Sequence, residues 1–224
     1  MGLQLALSGA LLIAAYLLGS IPTGYLAGRW LKGIDIREQG SGSTGATNVL
    51  RNLGKGPAIA VLVIDLFKGV GAIALVYALY AFAPTFAPTS VLPATWESWL
   101  VAGTGFAASI GHSKSVWLNF TGGKSVATSL GVLFAMSLPV ALGTAAVFGT
   151  VIAFSRIVSL GSIAGAIAVS VWMLIFKQPL PYLIFAIAGG IYVIWRHRSN
   201  IERLLAGTEP QIGQKLSTEP EQSS

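Results

Sequence analysis

Seven apolar runs separated by short polar gaps commit this chain to a lipid bilayer. A bilayer core gives backbone N–H and C=O groups no water to bond, so spans of this kind fold as helices. The runs fall near 3–30, 57–82, 99–110, 126–137, 141–154, 160–176 and 182–195. Of 224 residues 54% are hydrophobic and 10% charged, against about a quarter charged in a soluble domain. The first run lacks the basic start and small-residue cleavage site of a removable signal peptide, so it is expected to stay. Several runs are shorter than the roughly 20 residues of a perpendicular span and are expected to be half-helices or to enter a thinned interface. The reading is an all-α integral membrane protein of about seven transmembrane helices. It has one transmembrane domain over 1–207 and a solvated, disordered tail over 208–224, rich in Glu, Gln, Ser and Thr.

The formal net charge of +6 invites a nucleic-acid reading. The basic residues, however, occupy gaps between apolar runs rather than one polar face, and membrane topology explains them better. Short loops rich in Lys and Arg stay cytoplasmic. With seven spans, Arg29, Lys32, Arg37, Arg51, Lys55, Lys114, Lys124, Arg156, Arg196, Arg198, Arg203 and Lys215 share one side, and Lys177 lies on the other. That places the N-terminus outside and the C-terminus in the cytoplasm. The chain has no cysteine and only His112 and His197. Disulfides and thiolate metal sites are excluded, and a protein-held zinc is not expected.

Three polar stretches then share the cytoplasmic face. The first holds Gly40, Ser41, Gly42, Gly45, Thr47 and Asn48 between Arg37 and Arg51. Glycine permits positive φ and close approach, while hydroxyls and arginine add donors, so the loop can wrap a phosphate. Gly40, Gly42 and Gly45 also match G-x-G-x-x-G, with Asp65 20 residues further on. No strand precedes them and a membrane span follows, so a dinucleotide site is rejected and no cofactor is expected. The second stretch ends in Gly122, Gly123 and Lys124 ahead of an apolar run, which sets a lysine near a helix N-terminus that favours anions. It lacks the first glycine of a Walker sequence, so ATP does not follow. A basic loop snorkelling to lipid headgroups is the plainer reading.

In the third stretch His197, Asn200 and Arg203 recur at helical spacing where the last span meets water. An interfacial structural histidine and a group that binds substrate or moves a proton both fit. His197 and Glu202 have the spacing of a His-x4-acid dyad, but on a continuous helix they point apart. Asp65 and Lys68, i,i+3 inside the second span, read as a neutralised structural pair bracing the first loop.

Taken together, these stretches resemble the bacterial acyl-phosphate:glycerol-3-phosphate acyltransferase family, over the chain up to about Gly213. The resemblance is carried by Gly19-Ser20, Asp35-Ile36-Arg37, Gly40 to Asn48 with Arg51, Gly111-His112, Gly122 to Thr128, and His197 to Glu209. Ser43 stands where the family usually has asparagine, and Ser113 to Val116 replaces a segment that more often contains proline. The resemblance implies a membrane enzyme of the bacterial inner membrane, with its active site facing the cytoplasm. It would move a fatty acyl group from acyl phosphate to the 1-hydroxyl of glycerol 3-phosphate, giving lysophosphatidic acid and phosphate. Ser41, Gly40, Gly42, Gly45, Thr47, Asn48 and Arg51 would hold phosphate, and Lys124 would offset leaving-group charge. Gly122 and Gly123 would accommodate glycerol 3-phosphate, His197 and Asn200 would orient it, and Ser162 would be a further polar contact. A soluble enzyme supplying acyl phosphate is the partner it suggests. A transporter for a phosphorylated metabolite is the alternative class, but seven spans without an internal repeat and polar stretches on one side argue against alternating access.

Overall fold

The computed structural model describes residues 2–86, 88 and 90–214. Ten α-helices follow in order: α1 Gly2–Ser20, α2 Thr23–Lys32, α3 Ala46–Leu53, α4 Lys55–Phe82, α5 Ala94–Ser113, α6 Val126–Met136, α7 Leu138–Ser155, α8 Val158–Ile175, α9 Leu180–Arg196 and α10 Arg198–Leu205. Among the described residues the sole extended pairing is an isolated bridge between Ser115 and Thr121. Each of the seven predicted runs is thus helical. Their outer faces carry exposed Phe67, Phe154, Leu174 and Ile191, as lipid-facing surfaces do.

The first run is two helices rather than one. Pro22 has no N–H to continue the ladder, and the chain breaks between Ser20 and Thr23. The break is satisfied from α4, where Lys68 donates to the carbonyl of Ile21 and Asp65 Oδ1 accepts from Thr23 Oγ1 at 2.5 Å. Asp65 also accepts from Lys68 Nζ at 2.7 Å. The pair is buried and braces the α1–α2 junction.

Among the described residues, four segments suffice by length and apolarity to cross a bilayer: 2–32, 55–85, 138–155 and 158–175. A fifth, 180–205, qualifies if the 60° bend between α9 and α10 is included. α6 has 11 residues, or about 16 Å, half of a hydrocarbon core. It shares Ser137 as a boundary with α7, and the two form a hairpin. The hairpin returns to the end it left, because Arg156, just after α7, accepts from Ile212 N beside the residues that meet Lys124. Its departure and return preserve the sidedness of every later helix, whatever its depth.

α4 packs on α6, α1 on α5, α7 on α8 and α8 on α9. The tightest crossing pairs Gly69 and Gly131, where any Cβ would strike the backbone of the facing helix. Such small-residue contacts let membrane helices approach closely. The main core gathers Ile73, Val76, Val101, Val132, Val140 and Phe185, away from the basic end.

Candidate active site

At the basic end, α3, α4, α6, α8 and α9 enclose a cavity of about 300 Å³. Its mouth is polar and its depth apolar.

The first loop is organised by Asn48, which is 1% exposed. Its amide donates to the carbonyls of Ile36, Gln39 and Ser43, each at 2.9 Å, and its Oδ1 accepts from Ser41 N at 3.1 Å. Asn48, expected to hold phosphate, lines the cavity, and its hydrogen bonds within the loop make it the brace of this turn. Gly40 and Gly42 take φ of +56° and +67° in the turn that Asn48 closes. Neither lines the cavity, and Gly42 faces a second polar hollow with Arg37, Lys114 and Arg196. Ser41, Ser43, Gly45, Thr47, Asn48 and Arg51 do line it. Ser43 Oγ accepts from Gly45 N at 3.3 Å, so the serine at this position still closes a local turn.

The second loop works by contact. A Cβ at Gly122 would strike the backbone carbonyl of His112, and one at Gly123 would strike the His112 ring. These glycines therefore exist for close packing, and neither lines the cavity. Arg196 Nη2 ties both carbonyls, at 3.2 and 2.9 Å. Beyond them Lys124 reaches the cavity and donates to Asn200 Oδ1. Ser125, at φ +63°, turns the chain into α6 and is held through its hydroxyl by Ser109 O and Ser113 Oγ. Because no side chain caps α6, its first N–H groups remain open to an anion.

The third stretch forms a charged chain of contacts. Glu209 accepts from Asn200 Nδ2 at 2.5 Å, Ser159 Oγ at 2.7 Å and Arg203 Nε at 2.6 Å. Asn200 thus lines the cavity and links Glu209 to Lys124. Arg51 Nη2 reaches Pro210 O at 3.5 Å. Past the boundary expected at 207, the chain folds back on the site through Glu209, Pro210 and Ile212, and Glu209 is 8% exposed. The expected disorder over 215–224 lies outside the described residues. Ser162 lines the cavity one turn below Ser159, its hydroxyl bonded to Val158 O at 2.9 Å.

Electrostatics follow from this packing. Burial pulls the Lys124 ammonium down to about 8, with Arg203, Arg196 and Arg51 pressing the same way and Glu209 opposing. It remains mostly charged at neutral pH. Burial likewise lowers Arg51. For Glu209 burial opposes the charge, yet hydrogen bonds from Asn200, Ser159 and Arg203 prevail and hold it below the ordinary glutamate range. Burial takes His197 to about 4, so its ring is neutral. Nδ1 lies 2.7 Å from Val193 O; a carbonyl can only accept, so Nδ1 carries the proton and Nε2 keeps its lone pair.

Sequence reasoning left His112, Ser159 and Glu209 without roles. His112 lines the cavity with Nδ1 3.6 Å from Asp65 Oδ1. A readable signal was its place in Gly111-His112, ten residues before the glycine pair it supports. Glu209 follows Arg203 closely, but a polar tail conceals its folding back.

A helical membrane protein with a cationic, hydroxyl-rich mouth above an apolar cleft is an enzyme of the lipid–water interface, suited to joining a phosphorylated solute to a lipid chain. Comparison with known proteins narrows the class. A family profile described as glycerol-3-phosphate acyltransferase matches residues 9–207. A glycerol-3-phosphate acyltransferase of Trichormus variabilis is 66% identical across 100% of both chains, and one of Rippkaea orientalis is 59% identical over 96% of this chain and 98% of its own. The crystal structure of PlsY (YgiH), an integral membrane glycerol 3-phosphate acyltransferase in its glycerol 3-phosphate form, superposes with a TM-score of 0.81. It is 40% identical over 92% of this chain and 96% of its own. Its lysophosphatidic acid form gives a TM-score of 0.78 at 39% identity. The chain belongs to the glycerol-3-phosphate acyltransferase family.

Proposed function

We propose that this enzyme transfers a fatty acyl group from acyl phosphate to the 1-hydroxyl of sn-glycerol 3-phosphate, giving lysophosphatidic acid and inorganic phosphate. The observation that carries the reading is Lys124 and Arg51 at the mouth of a cavity whose floor is apolar. Relatives of this chain have been crystallised in glycerol 3-phosphate and lysophosphatidic acid forms, which supports an acceptor at the mouth and a lipid chain below it.

Acyl phosphate is a mixed anhydride, so no enzyme nucleophile or cofactor is required. The hydroxyl oxygen of glycerol 3-phosphate attacks the acyl carbon, the bond between that carbon and the bridging oxygen breaks, and phosphate leaves with the bridging oxygen and the electron pair. Ser41, the amides around Gly45, Thr47 and Arg51 hold the donor phosphate, and Lys124 offsets the charge growing on it. Gly40, Gly42 and Asn48 shape that loop, while Gly122, Gly123 and Asn200 aim Lys124. Neutral His197 accepts a hydrogen bond from the attacking hydroxyl through Nε2. With its value near 4, the ring is a weaker base than a phosphate monoester, whose second pKa is about 6. A substrate phosphate oxygen is therefore the better proton acceptor.

In this reading the chain crosses a bacterial plasma membrane seven times, with the N-terminus outside and the site facing the cytoplasm, where a soluble enzyme supplies acyl phosphate. The basic end supports it: Arg29, Lys32, Arg37, Arg51, Lys55, Lys114, Lys124, Arg156, Arg196, Arg198 and Arg203 gather there, and Lys177 lies between α8 and α9 at the other. Ser90→Cys should react with an impermeant thiol reagent on intact cells and Gln214→Cys only after lysis; the reverse pattern overturns the orientation. The chemistry is tested with purified protein, labelled glycerol 3-phosphate and either palmitoyl phosphate or palmitoyl-CoA. Labelled lysophosphatidic acid should form from the phosphate donor, and equal transfer from the thioester would contradict the mechanism.

A further inference from the structure

The apolar depth of the cavity has a measurable length. On α9, Val193, Gly189 and Phe185 follow His197 at successive intervals of four residues and all face the cavity. From His197 to Phe185 is twelve residues, or about 18 Å of helix. α8 runs alongside from Ser159 to Val169, about 15 Å. Below Ser162 and His197 these two helices line the space with glycine, alanine, valine and Phe185 alone. The far end is closed. Phe185 is 6% exposed and its ring lies over Gly105 of α5, where a Cβ would come within 3.4 Å of Cε2. Leu133, Val169, Ala186 and Met173 complete the core around it.

Two adjacent glycines on α9 differ in purpose. A Cβ at Gly190 would lie 2.6 Å from Ala166 O, so this glycine lets α9 meet α8. A Cβ at Gly189 would meet no atom within 4 Å. Gly189 lines the cavity about 12 Å from His197, and its missing side chain leaves the passage open.

We propose that Phe185 and Gly189 set the length of acyl chain this enzyme transfers, Phe185 as the floor and Gly189 as the open waist above it. The proposal rests on the reading that the acyl donor occupies this cavity with its carbonyl level with His197. An extended chain advances about 1.25 Å per carbon, from single bonds of ~1.52 Å at near-tetrahedral angles. The floor therefore admits about 14 carbons, and a side chain at position 189 stops a chain at about 10. Longer chains must bend sideways or displace Phe185.

The test measures kcat/KM of the full-length purified protein for acyl phosphates of 8 to 18 carbons at saturating glycerol 3-phosphate. For the wild type, kcat/KM should rise up to about 14 carbons and gain less than about twofold from there to 18. Gly189→Leu should lower the ratio of 16-carbon to 8-carbon kcat/KM at least about tenfold. Phe185→Ala should move the plateau at least two carbons longer. If Phe185→Ala does not fold, Gly189→Leu decides alone, because its site has room. Transfer with the same length profile in wild type and Gly189→Leu overturns the length proposal while leaving the acyltransferase reading intact. Absence of transfer by the wild type from every acyl phosphate overturns both.

Discussion

The two glycine-bearing loops at the mouth look alike in sequence and work by opposite means. The Gly40–Asn48 loop uses glycine for backbone conformation: Gly40 and Gly42 hold positive φ, and a buried asparagine gathers the turn from within. Its cavity-facing groups, Ser41 and Thr47, remain available to a ligand. The Gly122–Lys124 loop uses glycine for contact, with both residues pressed on His112 so that Lys124 is held in one place. Glycine at a phosphate site is thus two devices, one that shapes a cradle and one that seats a charge. Substitution distinguishes them at Gly42, where a methyl group fits at the cost of strain, whereas Gly122 and Gly123 have no space for one; Gly40 is the exception in the first loop, since its Cβ would lie 2.5 Å from Asn48 Oδ1.

The largest effect is expected from Gly123→Ala. Its Cβ would overlap the His112 ring, and relieving an overpacked contact costs about 1–3 kcal/mol. Turnover should fall toward a hundredfold and thermal stability should drop with it. Near-normal activity would mean that the loop is looser than the structure shows.

Lys124→Ala should cut turnover roughly tenfold or more, since a charged hydrogen bond is worth about 1.5–3 kcal/mol and about 1.4 kcal/mol is a factor of ten. Tm should move little, since burial already works against the lysine's charge. A large fall in Tm with residual specific activity intact would make Lys124 structural.

Next in size is a pH effect. Lys124 titrates near 8 in the free enzyme, so kcat/KM should hold from about pH 6, where the substrate phosphate titrates, up to that value and decline as pH rises through it, as the ammonium loses its proton. Lys124→Arg should remove the decline up to about pH 9. His197 is neutral from pH 5 upward, so no step near 6.5 should belong to it; a step that disappears in His197→Gln would contradict that assignment.

Gly42→Ala should be mildest. A non-glycine residue at its φ of +67° costs about 1–2 kcal/mol, and the added methyl group, 3.2 Å from Arg37 O, faces away from the cavity. The KM for acyl phosphate should rise severalfold, with kcat changed less. A loss as severe as that of Gly123→Ala would erase the distinction between the loops.

Much of this was legible in the sequence, for physical reasons. Apolar runs in a bilayer have one economical solution, so all seven helical segments were readable, as was the gathering of three polar stretches at one end. The break at Pro22 lies within one long apolar run, where a proline flanked by Gly19-Ser20 and Thr23-Gly24 marks it, and Lys68 and Asp65 satisfy the groups it frees. The shortness of α6 was partly visible in its run of a dozen residues. Asn48 and Asn200 were read as ligand groups because an amide near a phosphate loop has the right chemistry. Their partners come from residues up to 76 positions away, and no local pattern records that. The close packing of Gly122 and Gly123 on His112 is not written in their own segment, since His112 lies on another helix. Glu209 lay in a segment whose composition reads as solvated, and its burial depends on Ser159, Asn200 and Arg203 arriving together.

Central to the proposed reaction is the grip of the first loop and Arg51 on the donor's phosphate while its chain fills the cleft. The direct measurement is inhibition by a non-hydrolysable acyl phosphonate, with palmitoyl phosphate varied at fixed glycerol 3-phosphate, in wild type and Arg51→Ala. Competition against the acyl phosphate is expected, with a Ki at least about tenfold weaker in Arg51→Ala, as loss of one charged contact of about 1.5–3 kcal/mol implies. Non-competitive inhibition, or a Ki that Arg51→Ala leaves unchanged, would contradict it.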